Sequence, residues 1–256
     1  MAISLNSVLV TGAASGLGRT VAKALAAQSV TVTCLDLDAD RLDTLVAEIR
    51  QAGGKAHAVA ADISDETAIA AAFAEIGRLE PELDGVVTCA GVQNKTSILD
   101  LTAAEWDKVM AINLRGTFLC VQGALRIMMP RERGAIVTIG SDTGKRGGGR
   151  VGKSAYGSSK GGVVIFTRSI AKELASFGGK IRINCVCPGP MFTPMSGDIY
   201  FSDAAQGQAS VPHASVPIGR YGSTDEIAAG VLFLLSDEAS FIYGETLSID
   251  GGVVMD

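Results

Sequence analysis

Short runs rich in apolar and β-branched residues alternate with longer stretches of helical spacing along the chain. The runs are SVLVTG, TVTCLD, KAHAVA and DGVVTCAG in the first half, and the helices after the first three end at about Gln28, Gln51 and Gly77. Strands followed by helices in this rhythm are typical of parallel sheets covered on both faces. The alternation therefore predicts repeated βαβ units and an α/β fold.

The second half continues this rhythm and then departs from it. Residues 102–129 predict one long helix, GAIVTIG a strand, residues 154–177 a helix and KIRINCVC a strand. A last helix from about Thr224 precedes the strand ETLSIDGG. Between the strand KIRINCVC and this last helix, residues 188–222 contain five prolines and no regular pattern. Such long excursions usually cover a binding site, so we expect a substrate lid at about 188–222.

Size and charge narrow the classes of function. The 256 residues fit one α/β domain, so we expect a single domain over 1–256. A formal net charge of −5 without a long basic run argues against nucleic acid as a partner, because phosphate binding needs clustered Lys and Arg. The sequence shows no basic leader with a long apolar core and no segment that could span a bilayer. We therefore expect a cytoplasmic protein without a membrane partner.

The cysteines agree with a reducing compartment. They are Cys34, Cys89, Cys120, Cys185 and Cys187, an odd number placed in apolar runs. This favours reduced thiols over a disulfide framework. Cys185 and Cys187 would share one face of a strand, either as core residues or as a metal pair. A metal pair would need further ligands, and the sequence offers few of them, since it has just two histidines. We therefore expect core residues and no metal site.

A glycine-rich turn follows the first strand. The stretch TGAASGLG places Gly12, Gly16 and Gly18 where strand changes to helix, either as a merely tight turn or as a pyrophosphate site at the helix N-terminus. Asp36 ends the second strand, where a carboxylate can accept hydrogen bonds from the ribose hydroxyls of an adenine dinucleotide. It would repel a 2′-phosphate, so we expect NAD rather than NADP. Asp38 is interpreted as the cap of the next helix.

The stretch SAYGSSK places Tyr156 one helical turn before Lys160 among small residues. Unperturbed Tyr and Lys titrate near ~10 and ~10.4, so proton transfer at neutral pH requires a shifted pKa. Residues four apart share a helix face, so the Lys160 ammonium can stabilise a Tyr156 phenolate. Lowering the Tyr pKa to near neutrality needs roughly 4 kcal/mol, which a second nearby cation would help to supply. An acid/base pair and an exposed helix pair are the two interpretations.

A series of motifs carries a family resemblance. The motifs are TGAASGLG, Asp36, Asp62 in ADIS, CAG at 89–91, Asn113 in the long helix, Ser141, Tyr156-x-x-x-Lys160 and PGPMFT at 188–193. Together and in this order they resemble the short-chain dehydrogenase/reductase family over the whole chain. The resemblance implies a doubly wound, mostly parallel, seven-stranded Rossmann-like sheet, a nicotinamide cofactor across the carboxyl ends of its strands, and a homotetramer. It also implies a catalytic set of Ser141, Tyr156, Lys160 and Asn113.

The resemblance implies cofactor-binding residues as well. They are Gly12, Ser15, Gly16, Leu17, Gly18, Asp36, Asp62, Ile63, Ala90, Gly91, Tyr156, Lys160, Pro188, Gly189 and Thr193. Within the set, Lys160 would hold the nicotinamide ribose, Ser141 the substrate oxygen, and Asn113 a water relay to the lysine. Asp62 would contact adenine or cap a helix. Thr193 would contact the nicotinamide carboxamide or end a turn.

Two features depart from the family pattern. TCAG stands where NNAG is usual, so Cys89 replaces an Asn that braces the sheet edge. The segment from Ser141 to Tyr156 is longer than usual and rich in glycine, which leaves Ser154 as a second candidate for the serine position.

The motifs predict an NAD-dependent oxidoreductase that interconverts a secondary alcohol and a ketone by hydride transfer, with Tyr156 as acid/base. Its substrate is a small molecule. A 3-oxoacyl-thioester reductase or another carbonyl reductase is the nearest alternative. A non-catalytic NAD-binding regulator is a second alternative, although binding alone needs no proton donor.

A basic segment lies between the catalytic candidates. Lys145, Arg146, Arg150 and Lys153 fall within nine residues without an acid among them. Both ends of the segment carry catalytic candidates, so part of it must lie near the substrate. It is either a solvated loop that aids solubility or subunit contact, or an anion site in which Arg146 and Arg150 bind a carboxylate, phosphate or sulfonate.

Overall fold

The computed structural model describes residues 3–148, 153–195 and 216–255. Its strands form one sheet in the order β3-β2-β1-β4-β5-β6-β7, and all neighbouring pairs run parallel. The strands are β1 Ser7–Thr11, β2 Thr31–Asp36, β3 Lys55–Ala60, β4 Gly85–Thr88, β5 Gly134–Ile139, β6 Ile181–Pro188 and β7 Thr246–Ile249. The predicted doubly wound, seven-stranded fold is confirmed, with a sheet that is entirely rather than mostly parallel.

Helices cover both faces of this sheet. In the described ranges they are α1 Gly16–Ala26, α2 Ala39–Gln51, α3 Glu66–Leu79, α4 Ala103–Met110, α5 Gly116–Met128, α6 Asp142–Arg146, α7 Ser154–Ser176 and α8 Thr224–Leu235. Successive residues of a strand point to opposite faces, so Val8 and Val10 pack with α1, α2 and α8. Leu9 packs on the other face with α3, α5 and α7. In the part of the chain that is described, no helix is long and apolar enough to cross a membrane.

The connection between β3 and β4 places a crevice at the middle of the sheet. The chain moves outward from β1 to β2 and β3, and then crosses back to add β4 on the other side of β1. In register, Thr11 pairs with Leu35 on one side and with Thr88 on the other. The residues that end or directly follow these strands, including Gly12, Asp36 and Cys89, therefore meet at one edge. Ligands of doubly wound sheets bind at such a reversal of strand order.

The helical pattern over 102–129 folds as two α-helices joined by a π-helical turn. The turn spans Ala111–Arg115 and lies between α4 and α5. A π turn adds a residue to the helical repeat and rotates the side chains that follow it, and such turns are frequent at functional sites. Here it contains the fully buried Asn113. The continuous helix expected from the sequence is thus interrupted at a predicted site residue.

The predicted lid is described at its two ends. Pro188 ends β6, and Met191 forms an isolated parallel bridge with Gly222. Residues 196–215 lie outside the described residues, so the lid stays a prediction.

Candidate active site

A cavity of about 370 Å³ opens at the carboxyl ends of the central strands. It brings together predicted site residues that are distant in the sequence. Its lining includes Gly12, Ser15, Gly16, Leu17, Gly18, Asp36, Asp62, Ile63, Ala90, Gly91, Ser141, Tyr156, Lys160, Pro188 and Thr193. The two remaining predicted site residues, Asn113 and Gly189, lie outside this lining.

The lining also contains residues that are not among the predicted site residues. They are Leu37, Ala61, Cys89, Val92, Ile112, Ile139, Gly140, Met191, Pro194 and Met195. Most are chain neighbours of a motif residue: Leu37 follows Asp36, and Gly140 precedes Ser141. Extending each motif by one position would have found most of them.

Gly12 and Gly18 allow the backbone to pack closely at the glycine turn. Gly12 has a φ of +66°, and a Cβ on it would lie 2.6 Å from backbone atoms of Ala90. A Cβ on Gly18 would lie 2.2 Å from the carbonyl oxygen of Gly12. Another residue at either position would force the backbone to move. The turn is therefore as tight as the motif predicts.

Helix α1 directs its N-terminus into the cavity. Its N-cap residue, Ser15, makes no side-chain hydrogen bond to the helix. Ser15, Gly16 and Leu17 all line the cavity. The N–H groups of a first turn that lacks a side-chain cap are those that bind an anion, and the helix dipole favours negative charge there.

The carboxylate of Asp36 is fixed where β2 ends. Its Oδ2 accepts a hydrogen bond from the backbone N–H of Ala14 at 3.0 Å, and its Oδ1 accepts one from the N–H of Asp38 at 3.2 Å. Leu37, beside it, is 71% exposed. The carboxylate is thus held in place by two backbone donors at a corner of the cavity that reaches solvent.

The aspartates near this corner have distinct contacts. The side chain of Asp38 accepts a hydrogen bond from a first-turn N–H of α2 and caps that helix, as predicted. The cap of α3 is Asp65, so the helix-cap interpretation of Asp62 is wrong. Asp62 Oδ1 instead accepts hydrogen bonds from the N–H and hydroxyl of Ser64, at 2.8 and 2.7 Å. These contacts orient the Asp62 side chain at the cavity wall.

Ser141 lines the same cavity as Tyr156. Its Oγ accepts a hydrogen bond from the N–H of Thr143 at 3.2 Å and donates one to Asp142 at 3.1 Å, so Ser141 caps the short helix α6. The sequence predicted a loop here. Ser154, the second serine candidate, begins α7 and lines a separate groove. The serine beside Tyr156 in the cavity is therefore Ser141.

Lys160 is buried on α7, one turn after Tyr156. Its Nζ donates a hydrogen bond to the carbonyl oxygen of Ile139 at 2.7 Å. Burial lowers the pKa of Lys160 below its ordinary value, because the charged form is poorly solvated. A poorly solvated ammonium favours a neighbouring anion. A phenolate at Tyr156 would meet this condition.

Asn113 lies behind the cavity wall and connects the π turn to α7. Its amide exchanges two hydrogen bonds of 2.8 Å with the backbone of Val92 and donates a third, of 2.9 Å, to Ser159 Oγ. Atoms of Asn113 and Lys160 also lie on the same side of Gly91: a Cβ there would be 3.3 Å from the Asn113 Oδ1 and 3.5 Å from the Lys160 Nζ. Asn113 therefore holds the wall in place and borders the lysine without lining the cavity.

Gly189 packs against the end of β7. Its N–H donates to the carbonyl oxygen of Ile249 at 3.0 Å, and a Cβ on it would lie 2.6 Å from the Cα of Asp250. This close approach explains a glycine after Pro188 without a ligand. Pro188 itself lines the cavity.

The cysteines have two different environments near the site. Cys89 lines the cavity, and burial raises the pKa of its thiol to about 12, so the thiol is neutral. The backbone N–H that follows it, of Ala90, donates to Thr11 Oγ1 at 3.3 Å and ties the TCAG turn to β1. Cys185 and Cys187 are fully buried and pack against Val163 and Val164, as core residues.

The basic segment divides among several contacts. Arg146 pairs with Asp142 at 2.9 Å, and the Nζ of Lys145 donates to Ser248 Oγ at 3.0 Å. Lys153 Nζ lies 5.1 Å from the ring centroid of Tyr156. Arg150 lies outside the described residues. Asp142, one helical turn before Arg146 and outside the basic segment, thus supplies the carboxylate that pairs with this arginine. Among the described cations of the segment, Lys153 is the one that lies over the tyrosine ring.

Known proteins resemble this chain over nearly its whole length. Residues 12–254 match the family described as enoyl-(acyl carrier protein) reductase. The chain is 35% identical over 247 residues to 2-(S)-hydroxypropyl-CoM dehydrogenase 3 of Xanthobacter autotrophicus, covering 96% of this chain and 95% of that protein. It is 38% identical over 245 residues to cyclopentanol dehydrogenase of a Comamonas species, with 96% and 95% covered.

Solved structures agree with these relatives. A variant of actinorhodin polyketide ketoreductase with NADPH superposes with a TM-score of 0.87 at 32% identity, covering 99% of each chain. The matched family, the relatives and the shared fold all point to dehydrogenases and reductases. The chain belongs to the short-chain dehydrogenase/reductase family and is an oxidoreductase of that family.

Proposed function

We propose that this protein is an NAD-dependent oxidoreductase that interconverts a secondary alcohol and a ketone. The observation that carries the proposal is the cavity itself. It combines an uncapped helix N-terminus, the fixed carboxylate of Asp36, and the side chains of Ser141, Tyr156 and Lys160. A dinucleotide and a small substrate need these elements side by side.

The residues of the cavity fit a nicotinamide dinucleotide. The N-terminus of α1 would bind the pyrophosphate, and Asp36 would accept hydrogen bonds from the adenosine ribose. Asp62 and Ile63 would border the adenine, while Thr193 would lie near the nicotinamide. When bound, the cofactor accepts a hydride from the alcohol carbon or returns one to the ketone.

The chain's own side chains would handle the substrate oxygen and its proton. Ser141 Oγ would donate a hydrogen bond to that oxygen. Tyr156 would take the hydroxyl proton in the oxidative direction and return it in the reductive direction. The buried Lys160 would stabilise the phenolate form of Tyr156 in between, because an anion beside a poorly solvated ammonium is favoured.

The preference for NAD rests on the charges around Asp36. A 2′-phosphate would sit against a carboxylate that two backbone N–H groups fix in place. Arginines that could counter this repulsion have acidic partners: Arg19 pairs with Glu48 at 2.6 Å, and Arg41 with Asp38 at 3.3 Å. Local charge therefore favours a cofactor with free ribose hydroxyls.

A carbonyl or 3-oxoacyl-thioester reductase is the second candidate. The similar polyketide ketoreductase was solved with NADPH, which supports a reductase as the alternative. Asp36 weighs against the same cofactor here. Relative efficiency with NAD and NADP separates the two candidates.

The test is turnover by the purified protein. Secondary alcohols, including cyclopentanol, sugars and hydroxy acids would be offered with NAD or NADP, and ketones and a 3-oxoacyl thioester with NADH or NADPH. The absorbance of the reduced nicotinamide reports the rate. We expect oxidation of secondary alcohols with NAD. Cofactor binding without turnover of any compound would instead indicate a non-catalytic regulator.

We also propose a cytoplasmic homotetramer. An apolar groove between α5 and α7, with partly exposed Phe118 and Phe177, supports a covering subunit. Light scattering after size-exclusion chromatography measures the assembly.

A further inference from the structure

Lys153 lies over the ring of the proposed acid/base. It is the N-cap residue of α7, three residues before Tyr156, and its Nζ is 5.1 Å from the ring centroid. This is within the range of a cation–π contact. Tyr156 lines the cavity with Ser141, whereas Lys153 lines the neighbouring groove that contains Ser154. The Lys153 ammonium therefore lies at the tyrosine ring, beside the cavity rather than in its lining.

Gln93 connects Lys153 to the far side of the cavity mouth. The Nζ of Lys153 donates a hydrogen bond to the Gln93 amide oxygen, and the Gln93 amide nitrogen donates to the carbonyl oxygen of Met195. Three segments are joined in this way: the residues after β4, the start of α7 and the residues after β6. The amide oxygen is a neutral acceptor, so this hydrogen bond orients the ammonium.

Gly148 of the basic segment makes room for this arrangement. A Cβ on Gly148 would lie 2.4 Å from the Cβ of Lys153. Any larger residue would force Lys153 or the backbone at residue 148 to move. The glycine-rich composition of the segment therefore has a local physical reason at this position.

The described neighbours of Lys153 in the basic segment are directed elsewhere. The guanidinium of Arg146 binds the Asp142 carboxylate through two nitrogens, at 2.9 and 3.3 Å. Lys145 reaches Ser248 on β7. The formal net charge of the chain is −5, so attraction of an anion to this mouth would have to come from a local cation.

We propose that Lys153, oriented by Gln93, binds an anionic group of the substrate. The substrate is then a secondary alcohol, or the matching ketone, that carries a carboxylate, sulfonate or phosphate close to the reacting carbon. The inference rests on the proposed function, since it assigns the substrate class of the same site. The sequence favoured Arg146 and Arg150 as ligands of the anion. The inference assigns this role to Lys153, whose position beside Tyr156 the structure describes.

The experiment compares two alcohols of equal size with NAD. 3-Hydroxybutanoate carries the charge, and 4-methyl-2-pentanol replaces its carboxylate by an isopropyl group. Lys153→Gln removes the cation, Lys153→Arg keeps it, and Lys145→Gln is the matched control for loss of one charge in the same segment. We expect Lys153→Gln to lower kcat/KM for the acid by about 10- to 100-fold relative to the neutral alcohol, mostly through KM.

Three further results are expected in this comparison. Lys153→Arg retains most of the preference for the acid, and Lys145→Gln leaves the ratio unchanged. Added salt lowers kcat/KM for the acid in the wild type and does so less in Lys153→Gln. A merely structural lysine would lower the rates for both alcohols equally, so the ratio distinguishes binding from folding.

The outcomes separate this inference from the proposed function. Turnover of the neutral alcohol at equal or higher efficiency than the acid, or an unchanged ratio in Lys153→Gln, overturns the inference and leaves the oxidoreductase proposal standing. Absence of turnover with every secondary alcohol and ketone, under either cofactor, overturns both.

Discussion

Replacement of Asp36 is expected to remove the discrimination between NAD and NADP. Asp36→Asn keeps the size of the side chain and one carbonyl oxygen as acceptor, but it removes the negative charge. Two unit charges 4 Å apart repel by about 1 kcal/mol in water and about 4 kcal/mol at an effective dielectric constant near 20. The Asp36 corner is half-buried beside an exposed Leu37, so its repulsion lies between these limits.

The expected change follows from these limits. A phosphate carries more than one charge, which places the discrimination at about 2–4 kcal/mol, or roughly 30- to 1,000-fold in relative efficiency. Asp36→Asn should lose most of this factor by gaining activity with NADP. Asp36→Ala should lose it too, and should also destabilise the fold by about 1–2 kcal/mol because two backbone N–H groups lose their acceptor.

The assay has two independent readouts. One is the ratio of kcat/KM for NAD and NADP with the same alcohol, and the other is the affinity for NADH and NADPH from nicotinamide fluorescence. Asp40→Asn is the matched control, because it removes an exposed acid four residues away, in the first turn of α2, and leaves the pair of Asp38 and Arg41 intact. Comparable use of both cofactors by the wild type would refute the reasoning. So would an equal change of preference in Asp36→Asn and Asp40→Asn.

Three other predictions follow from the site and its supports. Tyr156→Phe should lower turnover by about 100-fold or more and leave NADH affinity largely unchanged, since the ring stays and the proton donor is lost; a near wild-type rate would move the acid/base role elsewhere. Asn113→Ala should lower the free energy of unfolding, measured with urea, by about 2–4 kcal/mol, because the backbone N–H and C=O of Val92 lose their partner and the Ser159 hydroxyl loses a donor; an unchanged midpoint would contradict this. Hydrogen bonding to Arg220 lowers the pKa of Glu226 from 4.5 to about 2, so their ion pair stabilises the fold above the usual pKa and is lost as the pH falls toward 2. Glu226→Gln should therefore cost less than about 1 kcal/mol near neutral pH, as both side chains are exposed, and nothing near pH 2; a difference that persisted in acid would contradict the assignment.

Features that depend on near neighbours in the chain could be predicted. The alternation of strands and helices is a local pattern of apolar residues, and it placed β2 and α2 at the residues where the structure has them. The four-residue spacing of Tyr156 and Lys160 fixes a shared helix face whatever surrounds it. The glycine turn and the acid that ends β2 meet because parallel strands in register end at one edge.

Features that depend on the approach of distant segments came from the tertiary structure. The resemblance implies a cofactor contact for Gly189, which stays a prediction, and the structure adds that this glycine packs on Asp250, about sixty residues later. The sequence pattern predicts a continuous helix through Asn113, whereas the structure places Asn113 in a π turn with hydrogen bonds to Val92 and Ser159.

The charge partners in the basic segment show most clearly what the sequence could not predict. The sequence made Arg146 and Arg150 the favoured anion ligands by residue type. The fold brings Asp142 to Arg146 by helical spacing, and it brings Gln93 to Lys153 across 60 residues. By itself the sequence determined which elements form and which chemical groups they carry, because propensity and periodicity act over a few residues. The partner of each charge was decided by the tertiary structure, because it depends on packing between segments whose relative position no local pattern encodes.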